Sequence, residues 1–235
     1  AYGGAPMPPA TIEALAKRLP NLILANGYGA TETTSPQTIM PLGATKGRED
    51  SIGKVVACCD TKVIGEDGRE VAPVEVGELW HAGPNVVPGY WDNPDANAEN
   101  FAGGFWKSGD LGAIDAEGFV RLHDRKKDMI NRAGFKVYSA EVENVLAYHP
   151  NILECAIVGR PDPVLGERVQ AFVVPKGQGL SLAAIRDFCA DRLSDYKLPD
   201  RVTFLAEPLP RNPNGKVVKG ELRKIVAAEL AEEQA

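Results

Sequence analysis

Eight residues, Tyr28-Gly-Ala-Thr-Glu-Thr-Thr-Ser35, carry one aromatic ring, four aliphatic hydroxyls and a single carboxylate, with no apolar face to bury. A run this polar raises the question of what folds it and what it holds. Cations gather further on, at Arg125-Lys126-Lys127, Arg132 and Lys136. Such a cluster reads either as a solvated basic face or as the seat of a phosphate-bearing ligand. Near the end, Asn212-Pro-Asn-Gly-Lys216 presents a lysine on a tight turn. Taken singly, Gly3-Gly4-Ala5-Pro6, the Thr31-Glu32 pair, Ser108-Gly109-Asp110 and the 212–216 turn each read first as ordinary turns.

Charge and cysteine usage narrow the class. Residues 1–120 hold 8 Lys/Arg against 16 Asp/Glu, and residues 121–235 hold 18 against 16, giving a net charge of −6. A nucleic-acid binder is expected to be more basic than this. No run of 18 apolar residues suggests a membrane span, and no basic-then-apolar leader suggests export. Cys58, Cys59, Cys155 and Cys189 show no C-x-x-C spacing, so they read as reduced core cysteines in a cytoplasmic protein. His81, His123 and His149 lie far apart and read as structural. The chain opens at Ala1 without Met, which suggests a cut inside a longer protein.

The elements that must position these residues fall into two bodies. Residues 9–19 predict an amphipathic helix stopped by Pro20, and "NLILAN" at 21–26 predicts a buried strand of a parallel sheet. The 28–35 loop follows that strand directly, where parallel sheets place their ligands. From about 52 to 123, short β runs broken by Glu66-Asp67-Gly68 and Asp115-Ala-Glu-Gly118 predict a mostly antiparallel, barrel-like unit. Beyond the charged stretch 124–128, strands and helices mix without strict alternation, which predicts an α+β body. Its helices start at Ser139 and Ser181, read as N-caps, and a last helix covers "KGELRKIVAAELA". The expected division is 1–125, comprising an α/β piece at 1–50 and a β unit at 51–125, followed by a small mobile domain at 126–235.

The order of the pieces says more than any one of them. Gly3-Gly4-Ala5-Pro6, "YGATETTS", "GELW" at 77–80, "WKSGDLG" at 106–112, "RLHDRKKDMINRAGFKVYSAEVE" at 121–143 and "LPRNPNGKV" at 209–217 follow one another. Over essentially the whole chain, this series closely resembles the carboxyl-terminal half of the adenylate-forming superfamily, specifically the AMP-forming acyl-CoA synthetases. The resemblance implies a multi-domain fold: the end of a parallel-sheet subdomain, a small antiparallel β-barrel-like subdomain, then a small α+β domain. It implies joining a carboxylate to ATP, giving an acyl-adenylate, and transfer to coenzyme A.

Residue by residue, Tyr28 resembles the wall on which adenine stacks, beside the small backbone of Gly3, Gly4 and Ala5. Thr31 resembles the hydroxyl that meets phosphate and Glu32 the Mg²⁺ ligand. Asp110 resembles the acceptor of both ribose hydroxyls and Arg125 the second ribose contact. Lys216 resembles the catalytic lysine bridging the carboxylate and the α-phosphate. Lys127 matches the family's hinge position. Gly134 lies where the pantetheine arm of coenzyme A is expected to pass, or serves only a turn. The implied ligands are ATP or AMP, Mg²⁺, coenzyme A and a small carboxylic acid.

The family's phosphate-cradling loop has no counterpart in this sequence, so a carboxyl-terminal fragment with little activity of its own is expected. Its truncation is expected to expose apolar surface that invites homodimerisation. Medium- or long-chain fatty acid is the expected substrate, with an aryl acid, a peptide-synthetase-type adenylation domain, or a non-catalytic nucleotide- or CoA-binding module as alternatives.

Overall fold

The computed structural model describes residues 1–233. The chain divides into unit 1, Ala1–Lys126, and unit 2, from Lys127 onward. Among the described residues no helix is long and apolar enough to cross a membrane.

Unit 1 begins with a piece of parallel sheet: strand β1 (Tyr2–Gly3), helix α1 (Pro9–Arg18) and strand β2 (Asn26–Tyr28), with Gly3 registered against Gly27. Helix α1 carries Pro9 at its first position, where the missing N–H costs nothing, and Lys17 and Arg18 in its last turn, where the helix dipole favours cations. Gly3 admits no side chain, because a Cβ there would lie 2.2 Å from the Gly27 carbonyl oxygen. Antiparallel strands follow: β3 (Thr38–Ile39), β4 (Ser51–Val55), β5 (Asp60–Ile64), β6 (Gly77–Ala82), β7 (Phe101–Ala102), β8 (Phe105–Ile114) and β9 (Phe119–Arg125), with helix α2 (Pro94–Asn100) between β6 and β7. All nine strands join one sheet in the order β1-β2-β3-β4-β9-β8-β6-β5, with β7 on β8. The α/β piece expected over 1–50 and the β unit expected over 51–125 thus share a continuous sheet.

Two expectations are corrected here. The strand expected at 21–26 begins only at Asn26. Leu22 and Ile23 are 48% and 60% exposed, because an apolar run signals burial but not what covers it. The barrel is also not closed, for β1 and β5 are free ends of the strand order. The sheet nevertheless curls. Tyr28 on β2 hydrogen-bonds Asp110 on β8, four steps away in the order, a span of roughly 19 Å in a flat sheet at about 4.8 Å per strand. Side chains rather than a backbone ladder bridge the opening: Gln37 Nε2 donates to the Asp60 carbonyl at 2.8 Å and to Thr61 Oγ1 at 3.2 Å. Both edges of strand β3 are already paired, with β2 and with β4, so it has no free edge to offer β5. Ile52, Val63, Leu79 and Val120 form the core on which Tyr28 packs.

Unit 2 holds strands β10 (Ile130–Arg132), β11 (Phe135–Val137), β12 (Ile152–Asp162), β13 (Gly166–Pro175) and β14 (Arg201–Phe204), with helices α3 (Ser139–Leu146), α4 (Leu182–Ala190) and α5 (Lys219–Glu233). The order is β11-β10-β13-β12, with β14 parallel to β13. Alternation along β13 separates two cores. Val169, Ala171 and Val173 join Val142 and Leu146 of α3 and Ile185 of α4, while Phe172 and Val174 join Leu222 and Val226 of α5. Ser181 caps α4 by accepting the Ala184 N–H at 3.2 Å. Ser139 does not cap α3, whose N-cap is Tyr138; its buried hydroxyl instead accepts from Lys219 Nζ at 2.6 Å.

Phe172 is fully buried between β13 and α5. Phe172→Ala is expected to lower the opening free energy of the β13 amides by about 3–5 kcal/mol, measured by native-state hydrogen exchange.

Candidate functional site

The polar loop is tied by one of its own hydroxyls. Thr33, fully buried in a 3₁₀ turn over Thr31–Thr33, accepts the Ala30 N–H at 2.9 Å and donates to the Ser35 carbonyl at 2.9 Å. Thr34 donates to the Asn85 carbonyl at 2.9 Å. Thr31 is left exposed, and its hydroxyl takes no hydrogen bond among the described residues. The Glu32 carbonyl accepts the Val87 N–H at 2.8 Å, and its Oε1 accepts from the Tyr90 hydroxyl at 2.9 Å. That contact orients the carboxylate and leaves Oε2 for another partner. Glu32, Tyr90, Glu78, Trp80, Ser108 and Lys126 line an open cleft of ≈ 650 Å³.

Asp110 sits where three remote segments converge. Its Oδ2 accepts from the Tyr28 hydroxyl at 2.6 Å, and Arg125 Nε lies 3.5 Å from its Oδ1. Asp110 and Arg125 are cross-strand partners on β8 and β9. Ser108 Oγ accepts the Asp110 N–H at 3.0 Å and donates to the Leu79 carbonyl. Burial, then the neighbouring Asp110 charge and hydrogen bond, push the Tyr28 hydroxyl far above the usual phenol range, so it remains a donor. The Arg125 side chain is 54% exposed, and so long an exposed ion pair adds little stability. Its guanidinium is free to swing to a ligand while Tyr28 keeps Asp110 in place.

The contacts behind Tyr28 fix their own polarity. The Tyr28 hydroxyl has one hydrogen, which goes to Asp110. Its 3.3 Å contact with His81 Nε2 therefore uses a hydrogen on that nitrogen. His81 Nδ1, 3.0 Å from Thr61 Oγ1, must then accept from the threonine. Burial pushes the His81 pKa down to about 4, which keeps the ring neutral and suits this single tautomer.

The other sequence-selected residues fall as follows. Gly3 packs its backbone against Gly27, and Gly3, Gly4 and Ala5 are all exposed. Lys216 ends the turn at 212–216, with its backbone N–H on Asn212 Oδ1 at 2.9 Å and Gly215 at φ 78°. Its exposed ammonium has no hydrogen bond or ion pair among the described residues. Lys127 is the first residue of unit 2, and its carbonyl accepts from Arg223 of α5 at 3.2 Å. Gly134 closes the turn between β10 and β11 at φ 88°, with open space around any added Cβ. The turn alone accounts for glycine there.

Among the described residues no set of three or more His, Cys, Asp or Glu is placed to hold a metal. Glu32 by itself fits Mg²⁺ in the mode in which one carboxylate, water and substrate phosphates share the ion.

The sequence reading does not pick out His81 as a partner of Tyr28 or Tyr90 as the orienter of Glu32. His81 was within reach, since strict alternation in "GELWHA" buries Leu79 and His81 on one face. Tyr90 lies in a loop without periodicity, and nothing in the sequence pairs it with Glu32.

Comparisons with known proteins agree across both units. The family of AMP-binding enzymes matches residues 1–91, and the AMP-binding enzyme C-terminal domain matches residues 141–216. The chain is 40% identical over 223 residues to a long-chain-fatty-acid–CoA ligase of Escherichia coli O157:H7, covering 95% of this chain and 39% of that protein. It is 34% identical to the o-succinylbenzoate CoA synthetase of Bacillus subtilis solved with the acyl-adenylate intermediate OSB-AMP, with a TM-score of 0.86 over 94% of this chain and 44% of that one. The same enzyme solved with ATP and magnesium gives a TM-score of 0.83 at 34% identity, over 94% and 45%. The chain thus spans about two-fifths of the length of the relatives it matches.

His81 sets a pH dependence. An unfolded histidine binds a proton below its ordinary pKa of 6.5, but the buried one does so only near about 4. Stability is therefore lost as pH falls from 6.5 to 4, by on the order of 3 kcal/mol. All three tryptophans lie in unit 1, so urea unfolding followed by tryptophan fluorescence reads this unit. The slope should vanish in His81→Gln.

Proposed function

We propose that this chain, which belongs to the AMP-binding enzyme family, supplies the carboxyl-terminal part of an ATP-dependent ligase that joins a carboxylic acid to coenzyme A through an acyl-adenylate. The observation that carries the reading is the junction of Tyr28, Asp110 and Arg125. It holds a carboxylate whose Oδ2 accepts from the Tyr28 hydroxyl at 2.6 Å and whose Oδ1 lies 3.5 Å from the half-exposed Arg125 guanidinium. A ribose diol can take that second oxygen as a charge-assisted acceptor, and Arg125 can follow it.

The remaining roles follow from chemistry. Both reactants of adenylation are anions, so cations must cover the charge that develops as carboxylate meets phosphate. Lys216 supplies an ammonium without a partner among the described residues, on a short turn tied by Asn212. Thr31 offers a free hydroxyl to phosphate. Glu32, steadied by Tyr90, would hold Mg²⁺, which when bound neutralises charge on the phosphates. Tyr28 and the small Gly3-Gly4-Ala5 segment border the base. Lys127, at the division of the two units, is the hinge about which unit 2 turns between half-reactions. The turn carrying Gly134 then borders the pantetheine arm.

A medium- or long-chain fatty acid is the favoured substrate, supported by the E. coli ligase. An aryl acid is the second reading, supported by likeness to the succinylbenzoate enzyme. The free cysteines support a reducing, cytoplasmic setting. Exposed Leu19, Leu22 and Ile23 support association of the isolated chain with itself.

The test uses the whole protein that contains this chain. Acid-dependent turnover should release AMP and pyrophosphate; release of ADP instead contradicts the reading. Lys216→Ala should slow pyrophosphate exchange by about 100-fold or more while sparing thioester formation from supplied acyl-adenylate. Equal loss in both half-reactions contradicts the role given to Lys216.

A further inference from the structure

Glu32 is held at its main chain and at one of its two carboxylate oxygens. Its carbonyl accepts the Val87 N–H at 2.8 Å, and Oε1 accepts from the Tyr90 hydroxyl at 2.9 Å. A phenol keeps its proton at neutral pH, so Oε1 is met by a donated hydrogen. Oε2 takes no hydrogen bond or ion pair among the described residues.

The hydroxyl can hold Oε1 only if the Tyr90 backbone stays in place. Asn97, in α2, clamps that backbone with both ends of its amide. Oδ1 accepts the Tyr90 N–H at 2.6 Å, and Nδ2 donates to the Tyr90 carbonyl at 3.0 Å. One donor and one acceptor on a single residue fix which end of the amide is oxygen. Gly89 leaves room for the clamp, since an added Cβ there would lie 2.9 Å from Asn97 Oδ1. Asn93 caps α2 by accepting the Ala96 N–H at 3.1 Å. Phe101 meets the Tyr90 ring edge-on, with centroids 5.7 Å apart. Helix α2 has no buried residue, so the clamp is not a by-product of core packing.

We propose that Tyr90, fixed by Asn97, sets which divalent cation Glu32 accepts: with Oε1 occupied, the carboxylate offers one oxygen only, and the site takes Mg²⁺ in preference to Ca²⁺. Mg²⁺ demands near-octahedral ligands and suits single carboxylate oxygens completed by water and phosphate. Ca²⁺ takes about six to eight oxygens and readily accepts both oxygens of one carboxylate. A Glu32 released at Oε1 can turn and grip the larger ion with both. Tyr90 is thus a positioning residue that acts on the metal through Glu32, and Asn97 acts through Tyr90. The role of Glu32 as a metal ligand rests on the function proposed above; the clamp on Tyr90 does not.

The test is isothermal titration of ATP into the whole protein that contains this chain, with no acid present, so that binding is read without turnover. It is run with saturating Mg²⁺, with saturating Ca²⁺ and with a chelator. The unaltered protein should bind magnesium-ATP more tightly than calcium-ATP. Tyr90→Phe should shift the ratio of the two affinities toward calcium by about tenfold. Asn97→Ala, which keeps the phenol, should shift it the same way and decides the matter if loss of the hydroxyl unsettles the loop. Affinity for metal-free ATP should stay unchanged in both variants, which separates a change at the metal from a disturbed fold. Glu32→Gln should erase the discrimination. An unchanged ratio in both variants, or equal weakening under all three conditions, overturns the proposal. An unaltered protein with no preference between the metals also overturns it and leaves the function reading standing. Discrimination that survives Glu32→Gln overturns the metal role given to Glu32 under that reading, and the proposal with it.

Discussion

Asp110 carries a carboxylate on a residue only 9% exposed, and charge withdrawn so far from water is costly unless donors meet it. Tyr28 meets it at 2.6 Å from the far side of a curled sheet. That one contact constrains much of unit 1. Strand β2 must come round to face β8, which requires the curl. The phenol must keep its proton, which burial and the Asp110 charge secure. The second face of the hydroxyl must then receive rather than give, which sets the tautomer of His81 and the direction of each bond behind it.

The same polar chain does what a backbone ladder would do in a closed barrel. Strands β3 and β5 are joined across the opening by the Gln37 amide and not by paired peptide groups. Side-chain closure is directional and tolerates a gap, so the sheet can bring Tyr28, Asp110 and Arg125 together and still leave the Glu32 cleft open to solvent. A fully paired barrel has a packed or enclosed interior. Unit 2 treats its charges differently. Arg132 pairs with Asp200, Arg160 with Glu229, Lys197 with Glu141, Lys219 with Glu143 and Arg223 with Asp128. Among the described residues Lys216 has no such partner, held by its backbone on a turn, and an unpaired cation can be offered to a ligand without first breaking a bond.

Much of this was legible in the residues. The order of short motifs selected Tyr28, Glu32, Asp110, Arg125 and Lys216; alternation in "GELWHA" marks its buried face, and the apolar run in "RVQAFVV" marks a strand buried on both faces. What the sequence could not convey was how chemistry closes space. The antiparallel runs between 51 and 125 suggested a barrel, yet nothing local distinguishes a ladder from the single amide of Gln37. "NLILAN" suggested a buried strand, yet Leu22 and Ile23 have nothing over them in this chain. Ser139 looked like a cap by position, but a lysine eighty residues later claims its hydroxyl. In each case the missing information was a partner distant in sequence.

The central claim is that an anchored Asp110 is the acceptor for an adenosine ribose within unit 1. Isothermal titration of the chain with AMP, before and after Asp110→Asn, tests it most directly, because the substitution keeps shape and removes charge. The account predicts measurable binding that weakens by about tenfold or more in the variant. Equal affinity in the two proteins, or no binding by the unaltered chain, would contradict it.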